Sequence, residues 1–478
     1  MSANLPPSWA RALLADVCAP VNKRGPSTDR ETFRYIDLGA LDNKSKQITE
    51  PSAVRVSAAP SRAKQTVKAG DVLFSNVRVY LENIALVPKA LEGEIASTAF
   101  CVLRPRQGLD PRYLYYYVTS KPFIRAVNAL QRGNSPPSVQ DDDVRRQLIP
   151  IAPSGEQERI ASKIDQLFSR IDEAERALER VQKLVERYRQ SVLKAAVTGE
   201  LTREWREKNR DKLESGAALL ARILRARCEA WEKAELEKME AKGLTPANDK
   251  WKQKYQEPLP PDTTGLPRLP EGWVWASADQ ITSLITDGEH ATPPRTESGI
   301  PLLSARNVRD GCLSLEEIDF VSPETHAKLQ ERLAIREGDV LLSCSGSVGR
   351  TCVVPSGIEF SLVRSVAVLR SPISIGTYIS LAIRSPLVRV QIARRKSQTA
   401  QANIFQGSIK KLVFPLPSML EIVEICNVVE RQLDESNRIS ADVRAQRLRV
   451  HAQRQSILAK AFAGGLVLQD STDEAASA

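Results

Sequence analysis

At 478 residues the chain is too long for a single ordinary core, and its hydrophobic content of 42% is that of a water-exposed globular protein. A formal net charge of +10 favours a polyanionic partner. Seven cysteines without a Cys-x-x-Cys pair argue against a disulfide or zinc scaffold and for reduced thiols in a cytoplasmic protein. Met1 to Pro6 has no basic start or apolar stretch, so export is not expected, and no apolar run of about 18 residues predicts a membrane span.

Taken in chain order, residues 1–153 predict a compact module. Asp71 to Phe74, Ile84 to Val87 and Ala99 to Leu103 are short β-branched or aromatic runs broken by Gly, Pro, Asn and Ser, as strands are, and Tyr113 to Val118 predicts a short helix. This segment holds 21 Lys and Arg against 14 Asp and Glu, so much of the basic excess lies here. Over 154–202 the pattern changes. Ile160, Ile164, Leu167, Ile171, Ala174, Leu178, Val181, Val185, Tyr188, Val192 and Ala195 step by four and three, which is a heptad stripe. Ser154 and Gln157 have capping-box spacing and Gly199 is the expected stop. The stripe predicts a rod of roughly 60 Å that cannot bury its own apolar face and needs a partner helix.

Residues 203–262 read as a charged helical linker, with a helix from Ser215 to Lys242 and a Pro-rich stretch beginning at Pro258. Residues 263–417 predict a second module, with strands at Asp339 to Leu342, Thr351 to Val354 and Val363 to Leu369 and a helix at Tyr378 to Ile383. A second heptad helix follows over 418–466, marked by Ile425, Val429, Leu433, Ile439, Val443, Val450, Ile457 and Ala461. Its stripe is weaker, because Ser436, Gln446 and Gln453 fall where the first helix has Ile171, Val181 and Tyr188. The tail 467–478 is small and acidic and is expected to be disordered.

The two halves repeat. Leu5-Pro6-Pro7-Ser8-Trp9 recurs as Leu269-Pro270-Glu271-Gly272-Trp273, Gly70-Asp71-Val72-Leu73 as Gly338-Asp339-Val340-Leu341, and Arg189-Gln190-Ser191-Val192-Leu193 as Arg454-Gln455-Ser456-Ile457-Leu458, at offsets of 264, 268 and 265. Regular recurrence of this kind signals internal duplication. The predicted fold class is α+β: two similar globular domains joined by two long helices that form an antiparallel coiled coil, with pseudo-twofold duplication. The coiled-coil positions expected to carry it are Ile160, Ile164, Leu167, Ile171, Leu178, Val185 and Val192 on the first helix, and Val429, Leu433, Val443 and Ile457 on the second.

The frame repeats, but the loops between matched strands differ in length, charge and residue type, as expected of two readers of different sequences. Loops rich in Arg, Asn, Gln, Ser and Gly suit phosphates and base edges. The candidate DNA contacts are Lys23, Arg24, Asn76, Arg78, Arg132 and Asn134 in the first module. In the second they are His290, Thr292, Arg306, Asn307, Ser347, Arg350, Arg395, Lys396 and Gln398. Motifs for chemistry are missing. Asn134-Ser135-Pro136-Pro137-Ser138 lacks the aromatic of a methyltransferase loop, Asp172-Glu173-Ala174-Glu175 lies inside the heptad run, and Gly346 to Thr351 lacks the Lys of a phosphate loop. The three histidines, His290, His326 and His451, have no ligand spacing, so no metal site is expected. The chain is expected to recognise and to leave chemistry to partners.

The chain resembles the specificity subunit of type I restriction-modification enzymes over essentially its full length. The residues that carry this are the paired L-P-x-x-W and G-D-V-L segments, Pro153 to Ile160 with its G-E-Q-E-R-I run, and Leu193 to Thr202 with L-K-A-A-x-x-G-E-L-T. The second helix start, Met419-Leu420-Glu421-Ile422-Val423, departs by lacking the Glu-Gln pair. The resemblance implies two target recognition domains, each reading half of a split double-stranded DNA site across a spacer of unspecified sequence, with the helices as ruler. It implies two methyltransferase (M) subunits that carry S-adenosylmethionine and methylate flipped adenine, and restriction (R) subunits for ATP- and Mg-dependent translocation and cleavage. No cofactor or metal is expected on this chain. A methylation-only complex, or a coiled-coil scaffold that binds only protein, is the alternative.

Overall fold

The structure, a computed structural model, describes residues 5–133, 136–246, 248–289, 291–397 and 402–470. Its contacts divide the chain into two units, Met1–Val181 with Asp442–Ala478, and Gln182–Ala441. Each unit holds one module, the start of that module's own long helix and the end of the other long helix.

In the first unit a four-stranded sheet runs in the order Cys18–Ala19, Phe100–Pro105, Val72–Ser75, Ile84–Leu86, all antiparallel. In the second unit the order is Leu284–Asp287, Val366–Arg370, Val340–Ser343, Thr351–Val353, again antiparallel. The central strands are buried on both faces, which accounts for their unbroken apolar runs. Both modules add a second sheet that includes one parallel pairing, Thr32–Ile36 with Ile95–Ser97 and Ile300–Leu303 with Ser361–Leu362. The predicted helices appear as Pro111–Val118 and Gly376–Arg384. Each places a buried tyrosine hydroxyl on a proline carbonyl, Tyr113 on Pro150 at 2.8 Å and Tyr378 on Pro415 at 2.7 Å. Each Gly-Asp-Val-Leu strand carries a bidentate ion pair at its head, Asp71 with Arg104 and Asp339 with Arg370.

The two long helices are Ser154–Thr198 and Met419–Ala461. Every module meets its own helix through a buried carboxylate. Trp9 donates from Nε1 to Glu156 Oε2 at 2.9 Å, and Trp273 donates to Glu421 Oε2 at 2.9 Å. Both carboxylates are 1% exposed, so each must have its acceptor capacity filled. Gln469 completes the first at 2.6 Å; Thr202 and Arg206, both at 2.7 Å, complete the second. The second helix start therefore keeps the glutamate of the first. Of the Glu-Gln pair only Gln157 is replaced, by Ile422, which joins the apolar core of its unit. Gln157 itself makes no capping box: its side chain bonds Gly108 O, Ala152 O and the Asp110 amide, so it ties the loop before helix Pro111–Val118 to the long helix.

The proline of each L-P-x-x-W segment sits on the glycine that ends the opposite helix. Gly199 and Gly464 have φ of +74° and +77°, and a Cβ there would lie 2.5 Å from Pro270 Cγ and 2.2 Å from Pro6 Cγ respectively. Glycine is required twice over, by conformation and by contact.

Within each unit the helix segments pack antiparallel. Ile160, Ala161 and Ile164 share a core with Leu458 and Ala461, while Arg454 reaches Asp172 and Glu175 and lies over the Phe168 ring. In the other unit Arg206 meets Glu421 while Arg189 meets Ser436, Asn437 and Ser440. The seam is narrower than the sequence stripe. Ile164, Ile171, Val185 and Val192 are buried and Leu178 half-buried, one residue per heptad. The alternate position fades from Ile160, buried, through half-buried Leu167, to Val181 at 37% and Tyr188 at 45% exposed. On the second helix Val429, Leu433 and Val443 are buried, Ile457 is half-buried and Ile439 is exposed. The reason is visible at Arg189. Its guanidinium makes four hydrogen bonds into a notch formed by the buried Ser436 and Ser440, where the stripe would have had apolar side chains.

The segment 203–262 is no free linker. Helix Gly216–Glu240 buries Leu219 and Ile223 in the core of the second unit, and Gly216 N donates to Gly272 O. Trp231 stacks on Trp251 and meets Tyr255 edge-on, while Arg227 reaches Thr282 O and the Tyr255 hydroxyl. At the other end, Val467 packs on the first unit and Gln469 bonds Glu156, so the tail is ordered further than its composition suggests; residues 471–478 lie outside the described residues.

Removing Glu421 strands Arg206, whose side chain is only 17% exposed. Glu421→Ala is expected to cost about 3–5 kcal/mol, as for breaking a buried ion pair. Glu156→Ala removes an acceptor from neutral donors only and should cost about 1–3 kcal/mol. Urea denaturation of both variants followed by tryptophan fluorescence checks the order.

Candidate nucleic-acid interface

In the first module strand Val72–Ser75 ends in a tight turn, because Ser75 Oγ donates to Val77 O at 2.8 Å and accepts from Val77 N at 3.2 Å. The backbone beyond it is laced to two other loops. Val139 N donates to Asn76 O and Arg78 N to Pro137 O, and Val77 and Arg132 both bridge to Ser138. Helix Asp141–Arg145 starts at this junction with three acidic residues. Asp141 accepts Asn76 Nδ2 and Lys23 Nζ, both at 2.7 Å, and Asp143 accepts Arg132 at 3.0 Å. The fold thus brings Lys23, Asn76, Arg78 and Arg132 together. It also spends three of them: Asn76 is 7% exposed and, with Lys23 and Arg132, is held by the acidic helix start.

Arg78 differs. It is exposed and left-handed at φ +51°, and among the described residues its guanidinium has no ion pair or hydrogen bond. Such a conformation costs a non-glycine residue about 1–2 kcal/mol. Arg24 lies at a separate hollow of about 430 Å³ with Arg30 and Phe33.

The second module repeats most of this backbone bonding, although Asn403 N donates to Ser397 Oγ where Ser138 N donates to Arg132 O. Ile404 N donates to Cys344 O, Gly346 N to Ala402 O, Ser397 N to Asn403 O, and Ser345 bridges to Asn403. The side chains are exchanged: Cys344 stands for Asn76, Gly346 for Arg78, Asn403 for Ser138 and Gln406 for Asp141. Burial pushes the Cys344 thiol up to about 12, so it is a neutral filler and no nucleophile. Gln406 Nε2 donates to Asp287 Oδ1, and Arg332 holds the 287–289 loop through Gly288 O at 2.8 Å and Glu289 at 3.3 Å. Between these loops lies an open groove of about 970 Å³, lined among others by Thr292, Arg295, Arg364, Asn403, Phe405 and Gln406.

The remaining expected contacts fall in different places. Thr292 is exposed in the groove. Asn307 is not available for a base: it is 1% exposed, and its amide is consumed by Ser304, Ser314 and Glu316. A polar side chain beside an arginine looked like a contact but closes a turn. Arg306 shares Asp319 with Arg295, at 3.0 and 3.5 Å. Ser347 and Arg350 lie on the turn closed by Ser343 Oγ, and Arg395 and Lys396 at the end of helix Pro386–Arg395. Asn134, His290 and Gln398 lie outside the described residues. The groove is also lined by Arg295, Arg364 and the 67% exposed Phe405, which no sequence motif marks. Arg364 sits next to a strand, and no pattern marks it as groove-facing until Glu289 bridges to Val363.

The family model for the type I restriction modification DNA specificity domain matches residues 9–183. Residues 9–183 carry that domain. Among curated proteins, the type I restriction enzyme EcoBI specificity subunit of Escherichia coli is 25% identical over 428 residues, covering 84% of this chain and 80% of its own. A chain solved in work on complex assembly and conformational transition of the type I R-M system aligns with a TM-score of 0.72 at 25% identity, over 97% of this chain and all of its own. The HsdS subunit from Thermoanaerobacter tengcongensis shares the fold, with a TM-score of 0.55 at 24% identity over 98% of this chain and 100% of its own.

Asp141→Ala strips a buried amide donor of its partner and should destabilise the protein by about 1–3 kcal/mol. Lys23→Ala removes only a half-exposed ion pair and should stay within about 1 kcal/mol. Thermal unfolding of the two variants side by side tests this difference.

Proposed function

We propose that this chain is the DNA sequence-specificity subunit of a type I restriction-modification complex. It binds a bipartite double-stranded site with a non-specific spacer and has no catalytic role of its own. The observation that carries this is the pair of matched loop junctions. Equivalent backbone bonds hold Asn76, Arg78 and Ser138 in one module and Cys344, Gly346 and Asn403 in the other. A scaffold built once and filled twice is suited to reading two unlike half-sites. The long-range likeness to specificity subunits supports the same role.

On this reading, residues 1–153 and 263–417 are the target recognition domains, and the helices of 154–202 and 418–466 set the spacer and take up the M subunits. Two M subunits supply S-adenosylmethionine and methylate adenine in each half-site. R subunits supply ATP- and Mg-dependent translocation and cleavage. The complex acts in the cytoplasm, where its DNA is. The net positive charge contributes sequence-independent attraction to phosphates, so affinity falls steeply with salt.

The test is to map methylated adenines in cells that express this chain with its M subunit. A bipartite motif is expected. Replacing residues 258–417 with the corresponding domain of another such subunit should change one half of the motif and leave the other intact. A change in both halves would show that the modules do not read independently, and a contiguous motif would remove the two-reader model.

A further inference from the structure

We propose that Arg78 reads a guanine in the half-site recognised by the first module. This rests on the DNA-reading role argued above and deepens it. The position after the Gly-Asp-Val-Leu strand is left-handed in both modules, at φ +51° for Arg78 and +69° for Gly346. It is held by the same bond in each, from Arg78 N to Pro137 O at 2.9 Å and from Gly346 N to Ala402 O at 3.1 Å. Glycine adopts this conformation freely, and the second module uses it. Space does not dictate that glycine, since a Cβ on Gly346 would meet nothing within 4 Å. Arginine is strained there, so the first module carries a disfavoured residue where its own copy shows the unstrained solution.

No polar contact among the described residues accounts for the side chain. Arg78 is exposed, and among the described residues its guanidinium bonds to no group, whereas Lys23, Asn76 and Arg132 around it are all engaged. Its backbone is fixed on both sides, by Pro137 O and by the turn in which Leu81 N donates to Arg78 O at 2.8 Å. A fixed left-handed residue sets the direction in which the side chain leaves the loop. Direction matters little for a phosphate, which needs only a nearby cation. It matters for a base edge, and the arginine fork matches guanine O6 and N7 with two parallel bonds.

The experiment selects bound duplexes from a random-sequence library with the chain assembled on its methyltransferase subunits. Wild type, Arg78→Gly and Arg78→Lys are compared, and the melting temperature of each complex is recorded. Wild type is expected to yield a bipartite motif with a G·C pair in the first half. In Arg78→Gly, discrimination at that one pair should fall about ten-fold or more, with every other position and the whole second half unchanged. Its melting temperature should be no lower than that of wild type, because the strain is relieved. Arg78→Lys keeps the charge but not the fork and should lose the same discrimination. An unchanged motif with uniformly weaker binding makes Arg78 a phosphate contact and overturns the proposal, as does an unchanged motif with a lowered melting temperature. If wild type selects no bipartite motif, the specificity-subunit reading itself fails, which is a different result from an unaltered motif in the variants.

Discussion

The architecture depends on one constraint: a glutamate at the start of each long helix is buried and has to be satisfied. The indole of Trp9 or Trp273 supplies one bond, and the end of the opposite helix, or the segment just beyond it, supplies the rest through Gln469, or through Thr202 and Arg206. A buried carboxylate short of donors is costly, so the first strand of a module, its own helix and the other helix are mutually required. The Gly–Pro seats at Gly199 and Gly464 reinforce the same three-way junction with packing alone. This explains why the most recognisable repeats are short and widely separated. L-P-x-x-W, the helix-start glutamate and the glycine past the helix end are distant in sequence and adjacent in space.

With the frame fixed in this way, the loops between strands are free to differ. The backbone bonds at the strand-end junction recur in both modules, but the side chains they present are unlike. Polar residues there fall into two kinds. Asn76, Lys23 and Arg132 hold the junction through Asp141 and Asp143, and Asn307 closes a turn. Arg78, Arg364 and Phe405 instead present exposed side chains.

Much of this was legible in the sequence. The strands around Asp71 and Asp339 and the short helices at Tyr113 and Tyr378 were, because they are buried on their apolar sides and so carry unbroken patterns. The heptad stripe marked both helices, and the internal duplication marked their antiparallel sense. It overstated the seam at Val181, Tyr188 and Ile439, because period alone does not reveal that Arg189 lies in a serine notch opposite. The second sheets were not legible: their strands pair across long separations and lie where the two modules share little sequence. Helix Gly216–Glu240 was seen as a helix, but its docking was not, since an amphipathic stripe says that a surface is buried and not against what. Arg, Asn and Lys in loops were visible as residue types, while their internal partners were not.

Arg189 and Arg454 occupy equivalent positions in the two helices, and the sites they land on overlap in register, Asn437 and Ser440 for one and Asp172 and Glu175 for the other, with Ser436 an added partner of Arg189. Each helix therefore carries both a pin and a socket, and neither socket is specific to a foreign pin. Folded against a twin of itself, the first helix would set Arg189 over Asp172 and Glu175, the partners Arg454 has now. The pairing rule is closed under exchange of halves, which is the geometry left when a symmetric pair of identical short chains is fused into one and its members are then allowed to diverge.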